Sequence, residues 1–426
     1  MRVLVNGASG LIGTAVCARL AADGHQVVAA MRRRAAHPSA SETVVADMSS
    51  TTAAQWAQHL QNVDAVVNCA GALQQGPNED LAAIHAAGAD ALFEACERLG
   101  VRRVIHFSAI GIDREQPSDF SVTKHEGDLL LKKRDLDWVI LRPSVVLGRG
   151  VFGASALFRG LAALPIIPIM KGTGPLQVVQ LDDVAETVLR LVQAPHPARV
   201  ELEVAGPERL SMEEVIARYR AWMGWKPARR WVLPDWLANL LYRAGDFAGW
   251  LGWRPAVRST AHQEIGRGAV GNPTVWTEFR GLEPTSLTHA LRAQPATVQD
   301  RWFAKLFFLK PLIFVVISAF WLATAIISVT IGYDIGVDLM LKAGTGPLAG
   351  PGVIAGALAD LLVGLSIAWR RTTKLGLFAA IALSFFYIIA GTILLPELWR
   401  EPLGPLTKIW PILVLHFVAL AILDER

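Results

Sequence analysis

The chain is short of cysteine, of tyrosine and of charge. Its three cysteines, Cys17, Cys69 and Cys96, stand far apart, with no C-x-x-C pair and no spacing that reads as a disulfide framework. They are expected to be buried thiols in a reducing compartment. Of the four tyrosines none precedes Tyr219, so the first half of the chain has no phenol to act as an acid. Charged residues make up 18% of the 426 and hydrophobic ones 52%, where a soluble domain carries about 25% charge. That balance excludes a disordered chain and argues against a wholly water-soluble one. A net charge of +4 is too small to point to nucleic acid. His85, His106 and His125 lack H-x-x-x-H spacing and read as surface or packing residues, so no metal is expected. No G-x-S-x-G elbow supports a hydrolase. No cleavable leader is expected either, because Met1 and Arg2 run straight into the strand-like Val3-Leu4-Val5.

What the chain has instead is two charge-free runs of 22 residues, Pro311 to Gly332 and Leu375 to Pro396. A helix needs about 20 apolar residues to cross a hydrocarbon core. Between them, Ala343 to Trp369 is apolar apart from Asp360. A fourth apolar stretch, Ile409 to Leu423, has only 15 residues and reads as a fourth span or as a helix lying in the interface. The sequence therefore predicts an all-α, four-helix transmembrane bundle over 311–426, after a linker at 296–310. Seven basic residues (Arg301, Lys305, Lys310, Arg370, Arg371, Lys374, Arg426) flank one side of the spans and three (Lys342, Arg400, Lys408) the other. By the excess of positive charge inside, the first 300 or so residues should face the cytoplasm, in a multi-pass protein of the inner membrane. Asp360 is a candidate functional carboxylate because burial in the membrane is costly, with His416 as its suggested partner.

Residues 1–295 read as α/β. Short apolar runs (Val3-Leu4-Val5, Val27 to Ala30, Ala65-Val66-Val67, Val104 to Phe107) alternate with helical stretches at Ile12 to Ala22 and Leu81 to Leu99. Such alternation predicts a doubly wound parallel sheet of Rossmann type, here with a small substrate lobe over about 150–295. The first strand ends in Asn6-Gly7-Ala8-Ser9-Gly10-Leu11-Ile12-Gly13. At this G-x-x-G-x-x-G spacing Gly7 makes the tight turn, Gly10 admits a pyrophosphate and Gly13 lets the helix pack closely. The position that takes a ribose-binding carboxylate in an NAD site is Met31, followed by Arg32-Arg33-Arg34. A guanidinium suits a 2′-phosphate, so Arg32 favours NADP(H) over NAD(H), unless the arginines form a solvated loop.

Several motifs, taken in order, resemble the extended and atypical short-chain dehydrogenase/reductases. Asp47-Met48 is similar to that family's adenine-contacting pair. Asn68-Cys69-Ala70-Gly71 resembles its N-x-A-G, and Ser108 stands where it places a catalytic Ser or Thr. Leu141 to Gly148, with Pro143 and Val145, resembles the segment that passes the nicotinamide. Asp182-Asp183-Val184-Ala185 and Ala205 to Glu208 resemble later signatures. The resemblance implies that Gly7, Ser9, Gly10, Leu11, Ile12, Gly13, Arg32, Asp47, Met48, Ala70, Gly71, Lys124, Pro143 and Val145 bind NADP or NAD, with Ser108 and Lys124 catalytic. The family's Tyr-x-x-x-Lys departs here to Phe120-Ser121-Val122-Thr123-Lys124. Losing a positioned acid costs about 10²–10⁴ in rate. This counts against sugar epimerisation or dehydration and makes a membrane-anchored reductase of a lipophilic, quinone-like substrate the leading expectation, with a non-enzymatic scaffold or redox sensor as the alternative.

Leu141 to Ala185 also resembles the Rossmann accessory subunit of respiratory complex I, which implies a respiratory or redox membrane partner. The segment from Asp300 onward resembles the DoxX-like membrane family and implies a bacterial source. Trp222, Trp225, Trp231, Trp236, Trp250 and Trp253, interleaved with Lys226, Arg229, Arg230 and Arg243, read either as the wall of an apolar substrate pocket or as residues at headgroup level.

Overall fold

The computed structural model describes all residues except 77–79, 116, 194–196, 282 and 425–426. Arg426, one of the seven flanking cations, thus lies outside the described residues. Two compact units emerge, one of residues 1–247 and 255–304 and the other of 248–254 and 305–426.

In the first unit the apolar runs form β1 (Arg2–Asn6), β2 (Gln26–Met31), β3 (Glu42–Val45), β4 (Ala65–Asn68), β5 (Arg103–Phe107) and β6 (Asp137–Pro143). With the strand Val200–Val204 they make a seven-stranded parallel sheet in the order Val200–Val204, β6, β5, β4, β1, β2, β3. Continuous apolar strands belong in a sheet covered on both faces. Val3, Val5, Ile105 and Leu141 pack with Val16 and Leu20 of α1 (Leu11–Ala22) and with Val184 and Val188 of helix Leu181–Val192. The alternate residues Leu4, Val66, Val104 and Ile140 pack on the other face, with Trp56 of α2 (Ala53–His59) and with Leu92 and Phe93 of α3 (Gly88–Leu99). Chain order reverses on either side of β1, which leaves a crevice at the carboxyl ends of β1 and β4.

The stretch expected as the lobe does two jobs. Val200–Val204 and Leu181–Val192 complete the main layers, while a small pair of strands, Ile166–Ile169 and Arg229–Val232, joins helices Ala154–Ala163 and Met212–Trp222 beside them. Asp183 ties the end of the lobe back to the sheet. It accepts from Arg280 (2.5 Å), from the Thr285 N–H (2.8 Å) and from the Thr285 hydroxyl (3.1 Å). The expected linker contains a helix, Val298–Leu306.

Among the described residues of the second unit, three helices are long and apolar enough to cross a membrane: Leu309–Val329, Ala349–Ala368 and Thr373–Leu394. The fourth, Ile409–Ile422, has 14 residues. At about 1.5 Å per residue it falls short of a hydrocarbon core of about 30 Å. It nonetheless packs into the bundle, where Ala419 joins Phe314, Trp321, Ile367 and Leu377. The polar groups inside are satisfied locally. Tyr387 donates to Asp360 (2.8 Å), and Trp321 donates through Nε1 to His416 Nε2 (2.9 Å). His416 is therefore not the partner of Asp360: Trp321 and the Ile412 carbonyl, at 2.6 Å, take its two ring nitrogens.

Asp183→Ala would leave the Arg280 guanidinium buried without its carboxylate. Breaking such a pair costs about 3–5 kcal/mol, so thermal unfolding of the variant should begin well below that of the parent.

Candidate functional site

The crevice is built from residues that end strands. Gly7 follows β1 with φ +76, and its N–H and that of Ala8 both donate to the Ala30 carbonyl at the end of β2 (3.1 and 3.3 Å). A Cβ on Gly7 would lie 2.8 Å from the Ala70 nitrogen, so only glycine lets the turn touch the segment after β4. A Cβ on Gly13 would strike the Gly7 carbonyl, which makes this glycine the condition for α1 to start so close to the strand. Gly10 caps α1 with no side-chain bond, and the helix has no acidic residue in its first turn. The N–H groups of Leu11, Ile12 and Gly13 therefore face the crevice as donors without helical acceptors. Exposed Ser9 stands at the tip of the turn. This cradle, which any side chain would fill, fits a dinucleotide pyrophosphate.

The remaining predicted cofactor residues border the same edge. Arg32 is exposed just beyond β2. Asp47 accepts from the Ser49 N–H and hydroxyl (3.0 and 2.8 Å), shaping the loop after β3, while Met48 is buried with its sulfur 3.0 Å from the Asn6 amide. Ala70 and Gly71 follow β4, and a Cβ on Gly71 would sit 3.2 Å from Lys124 Nζ. Pro143 and Val145 leave β6, and the segment returns to the glycine turn, where a Cβ on Gly150 would lie 3.0 Å from Leu11.

Lys124 lies on α4 (Asp119–Lys132), which is capped by Ser118. It is buried, and its ammonium donates to the Phe107 carbonyl (2.7 Å). Burial pushes it down to about 8, while Asp128 and Cys69 pull the other way. Phe120, one turn earlier, meets the His85 ring edge-on at 5.6 Å. Ser108 does not point its hydroxyl at open space, because it donates to Asp128 Oδ2 (2.9 Å).

Sequence reasoning missed a buried polar row beneath the crevice. Asn6, Asn68 and His106 stand side by side in register on β1, β4 and β5. Asn6 donates to Asn68 Oδ1 (3.0 Å), and Asn68 Nδ2 meets His106 Nδ1 (3.1 Å). That bond places the ring proton on Nε2, 3.6 Å from Asp128 Oδ1. Burial, then the Lys124 charge, holds His106 well below its usual range, whereas burial raises Asp128 against the pull of Ser108 and Arg142. Arg142 donates to Asp128 (3.1 Å) and also pairs with Glu201 (2.8 Å) and Asp113 (3.2 Å).

His85 was missed as well. It sits in a π-helical turn, Ala83–Ala87, of a kind frequent at functional sites. It accepts from the Ala72 N–H (3.1 Å) and meets Thr123 (2.9 Å), and burial pushes it down to about 2. The only sequence signals for this group were polar residues ending apolar strands and the i, i+4 spacing of Lys124 and Asp128.

Over the start of α4 lies helix Ser259–Arg267, whose Glu264 accepts from Ser118 and Ser121 and whose Arg267 donates to Ser121 (2.8 Å). The thiols of Cys17 and Cys96 are pushed to about 12 by burial and are not nucleophiles. Among the described residues no group of three His, Cys, Asp or Glu is placed to hold a metal. A separate cavity of about 260 Å³ is lined by Arg159, Tyr219, Trp222 and Asp300. Its buried cation is already held by Asp300 (2.9 Å) and the Gly148 carbonyl (2.8 Å).

Comparison with known proteins agrees with this geometry. Residues 7–195 match the NAD(P)H-binding family, and residues 318–417 match the DoxX-like family. The chain thus joins an NAD(P)H-binding Rossmann domain, with relatives among oxidoreductases, to a DoxX-like domain. An uncharacterised protein of Mycobacterium tuberculosis is 28% identical over 218 residues, which are 51% of this chain and 23% of that protein. The ceramide reductase of Caulobacter vibrioides is 24% identical over 237 residues, 55% of this chain and 74% of the reductase. The fold is shared with UDP-glucuronic acid 4-epimerase from Bacillus cereus, solved with UDP-glucuronic acid and NAD. There the TM-score is 0.54 at 19% identity, covering 72% of this chain and 100% of the epimerase.

Gly13→Ala should disturb little beyond the turn, yet it forces α1 away from Gly7. Nucleotide affinity, measured by calorimetry, should fall by about tenfold or more, equivalent to at least ~1.4 kcal/mol.

Proposed function

We propose that this is a membrane-anchored NADPH-dependent reductase of a lipophilic, quinone-like substrate, its Rossmann unit on the cytoplasmic side of the inner membrane. The carrying observation is Lys124: buried, its ammonium on the Phe107 carbonyl (2.7 Å) and beside Gly71 in the segment after β4, with a proton that burial loosens to about 8. NADPH, when bound, would supply the hydride. The residues in place fit it, with the α1 N-terminus for the pyrophosphate, Arg32 for the 2′-phosphate and the loop of Asp47 and Met48 for the adenine.

Phe120 has no proton to give, and the neutral His85 beside it lies too low to carry one. Lys124 would give the proton to a substrate oxygen, and with the hydride this makes a two-electron reduction that takes a quinone to its hydroquinone, a hydroxyl at each former carbonyl. Ser108 keeps α4 in place through Asp128. The apolar membrane unit and the likeness to a ceramide reductase support a substrate drawn from the lipid phase. Epimerisation is less well supported, because oxidising a sugar hydroxyl needs the base that Phe120 lacks. The second reading is a nucleotide-binding scaffold or redox sensor with a respiratory partner, favoured by the same Phe120.

The deciding experiment measures binding of NADPH and NADH to the full chain in detergent, then turnover with a soluble quinone. Binding with turnover supports the reductase, binding without turnover supports the sensor, and no binding overturns both. Charge-assisted bonds are worth about 1.5–3 kcal/mol. Arg32→Ala should therefore weaken NADPH by about 10- to 100-fold and leave NADH unchanged. Because the acid must be protonated, kcat should be level below pH 8 and fall about tenfold per unit above it.

A further inference from the structure

Helix Asp235–Trp250 carries an apolar stripe on its exposed side. Its inner side is tightly seated: Tyr242 stacks on His262 at 4.5 Å, and a Cβ on Gly245 would strike the Val257 carbonyl. On the opposite side, at helical spacing, stand Trp236, Leu240, Phe247 and Trp250, which are 68%, 55%, 61% and 61% exposed. A helix that faces water carries polar side chains there, and a contiguous apolar stripe marks a surface that meets something apolar.

Three further observations identify what it meets. First, Ala248–Arg254, which includes the helix's last turn, belongs to the apolar bundle unit. Trp253 donates to the Ala368 carbonyl (2.8 Å), the Arg370 N–H donates to the Leu251 carbonyl (3.0 Å), and Trp250 and Trp369 lie ring to ring at 5.4 Å. These contacts are all at the turn between the candidate spans Ala349–Ala368 and Thr373–Leu394, where a membrane meets water. Second, Trp302, 66% exposed, precedes the first span at Leu309 by seven residues in sequence. Third, residues 222–258 carry five exposed basic side chains (Lys226, Arg229, Arg230, Arg243, Arg254) against one exposed acidic one (Asp235), while Arg258 and Asp246 are paired with each other (3.2 Å).

We propose that helix Asp235–Trp250 lies in the interfacial layer of an anionic phospholipid bilayer. Its aromatic and leucine stripe sits at the boundary of headgroups and acyl chains, and the neighbouring cations sit at the level of the phosphates. Tryptophan and arginine are favoured at that depth. The helix gives the protein a second membrane contact besides its spans, and the assignment needs no assumption about the reaction.

The test uses the full chain in nanodiscs of phosphatidylcholine and phosphatidylglycerol, with a spin label on Leu240→Cys. Val45→Cys, exposed on edge strand β3, serves as the water-facing reference, and the parent chain labelled in parallel measures the background from its own cysteines. Collision with oxygen should exceed collision with a water-soluble nickel chelate by at least threefold at position 240, with the order reversed at position 45. In pure phosphatidylcholine the excess at position 240 should fall. Equal preference for the nickel chelate at both positions overturns the proposal, as does an excess indifferent to lipid charge. Dipolar broadening between labels at position 240 also overturns it, because a second copy of the chain would then cover the stripe. Both substitutions are on the surface, so either readout survives without activity.

Discussion

A single buried carboxylate holds the site together. Asp128 accepts from Ser108 at the end of β5 and from Arg142 near the end of β6, and it faces His106 from the helix that carries Lys124 one turn earlier. Burying a carboxylate is costly unless its oxygens are hydrogen-bonded and its charge is paired. Here the cost is offset by a guanidinium with further partners in Glu201 and Asp113. The consequence is geometric: α4 cannot slide against the sheet, so the Lys124 ammonium stays on the Phe107 carbonyl and beside Gly71. The same burial that requires this network pushes the Lys124 proton to where it can be given up near neutrality.

One turn before Lys124 the helix carries a phenylalanine and no proton donor. The Phe120 ring packs on His85, and the Lys124 ammonium lies beside Gly71. Both buried histidines are held neutral, His85 by burial and by the Lys124 charge, His106 by the same two causes. The inner site therefore holds two buried cations, Arg142 paired with Asp128 and Lys124 on the Phe107 carbonyl.

The membrane unit obeys the opposite packing rule. Val315, Leu358, Leu362 and Phe386 point outward while Asp360, Ser318 and His416 point in, each with a partner inside the bundle. In hydrocarbon a polar group is tolerated only when its bonds are made within the protein. Small residues make the close helix contacts, with Gly364 against Leu322 and Gly376 against Ile367. Residues 318–417 of this unit match the DoxX-like family.

Much of this was legible in the residues alone. The parallel sheet followed from apolar runs too short and too uniformly buried for anything else. The dinucleotide turn followed from glycines whose spacing allows no Cβ at positions 7 and 13. The membrane bundle followed from charge-free runs that only lipid can solvate. All of these depend on local pattern, whose physical causes lie within a few residues of one another. The partners of polar groups were not legible: Asn6, Asn68 and His106 are 62 and 38 residues apart and meet only because three strands align in register. Ser108 reads as catalytic by position, yet its hydroxyl is turned to a carboxylate 20 residues on. Asp360 and His416 looked like a pair until the bundle set Tyr387 and Trp321 between them and their alternatives. Hydrogen-bond partners across elements are chosen by the final packing, because a buried polar group takes whichever donor or acceptor the folded chain brings within 3 Å or so.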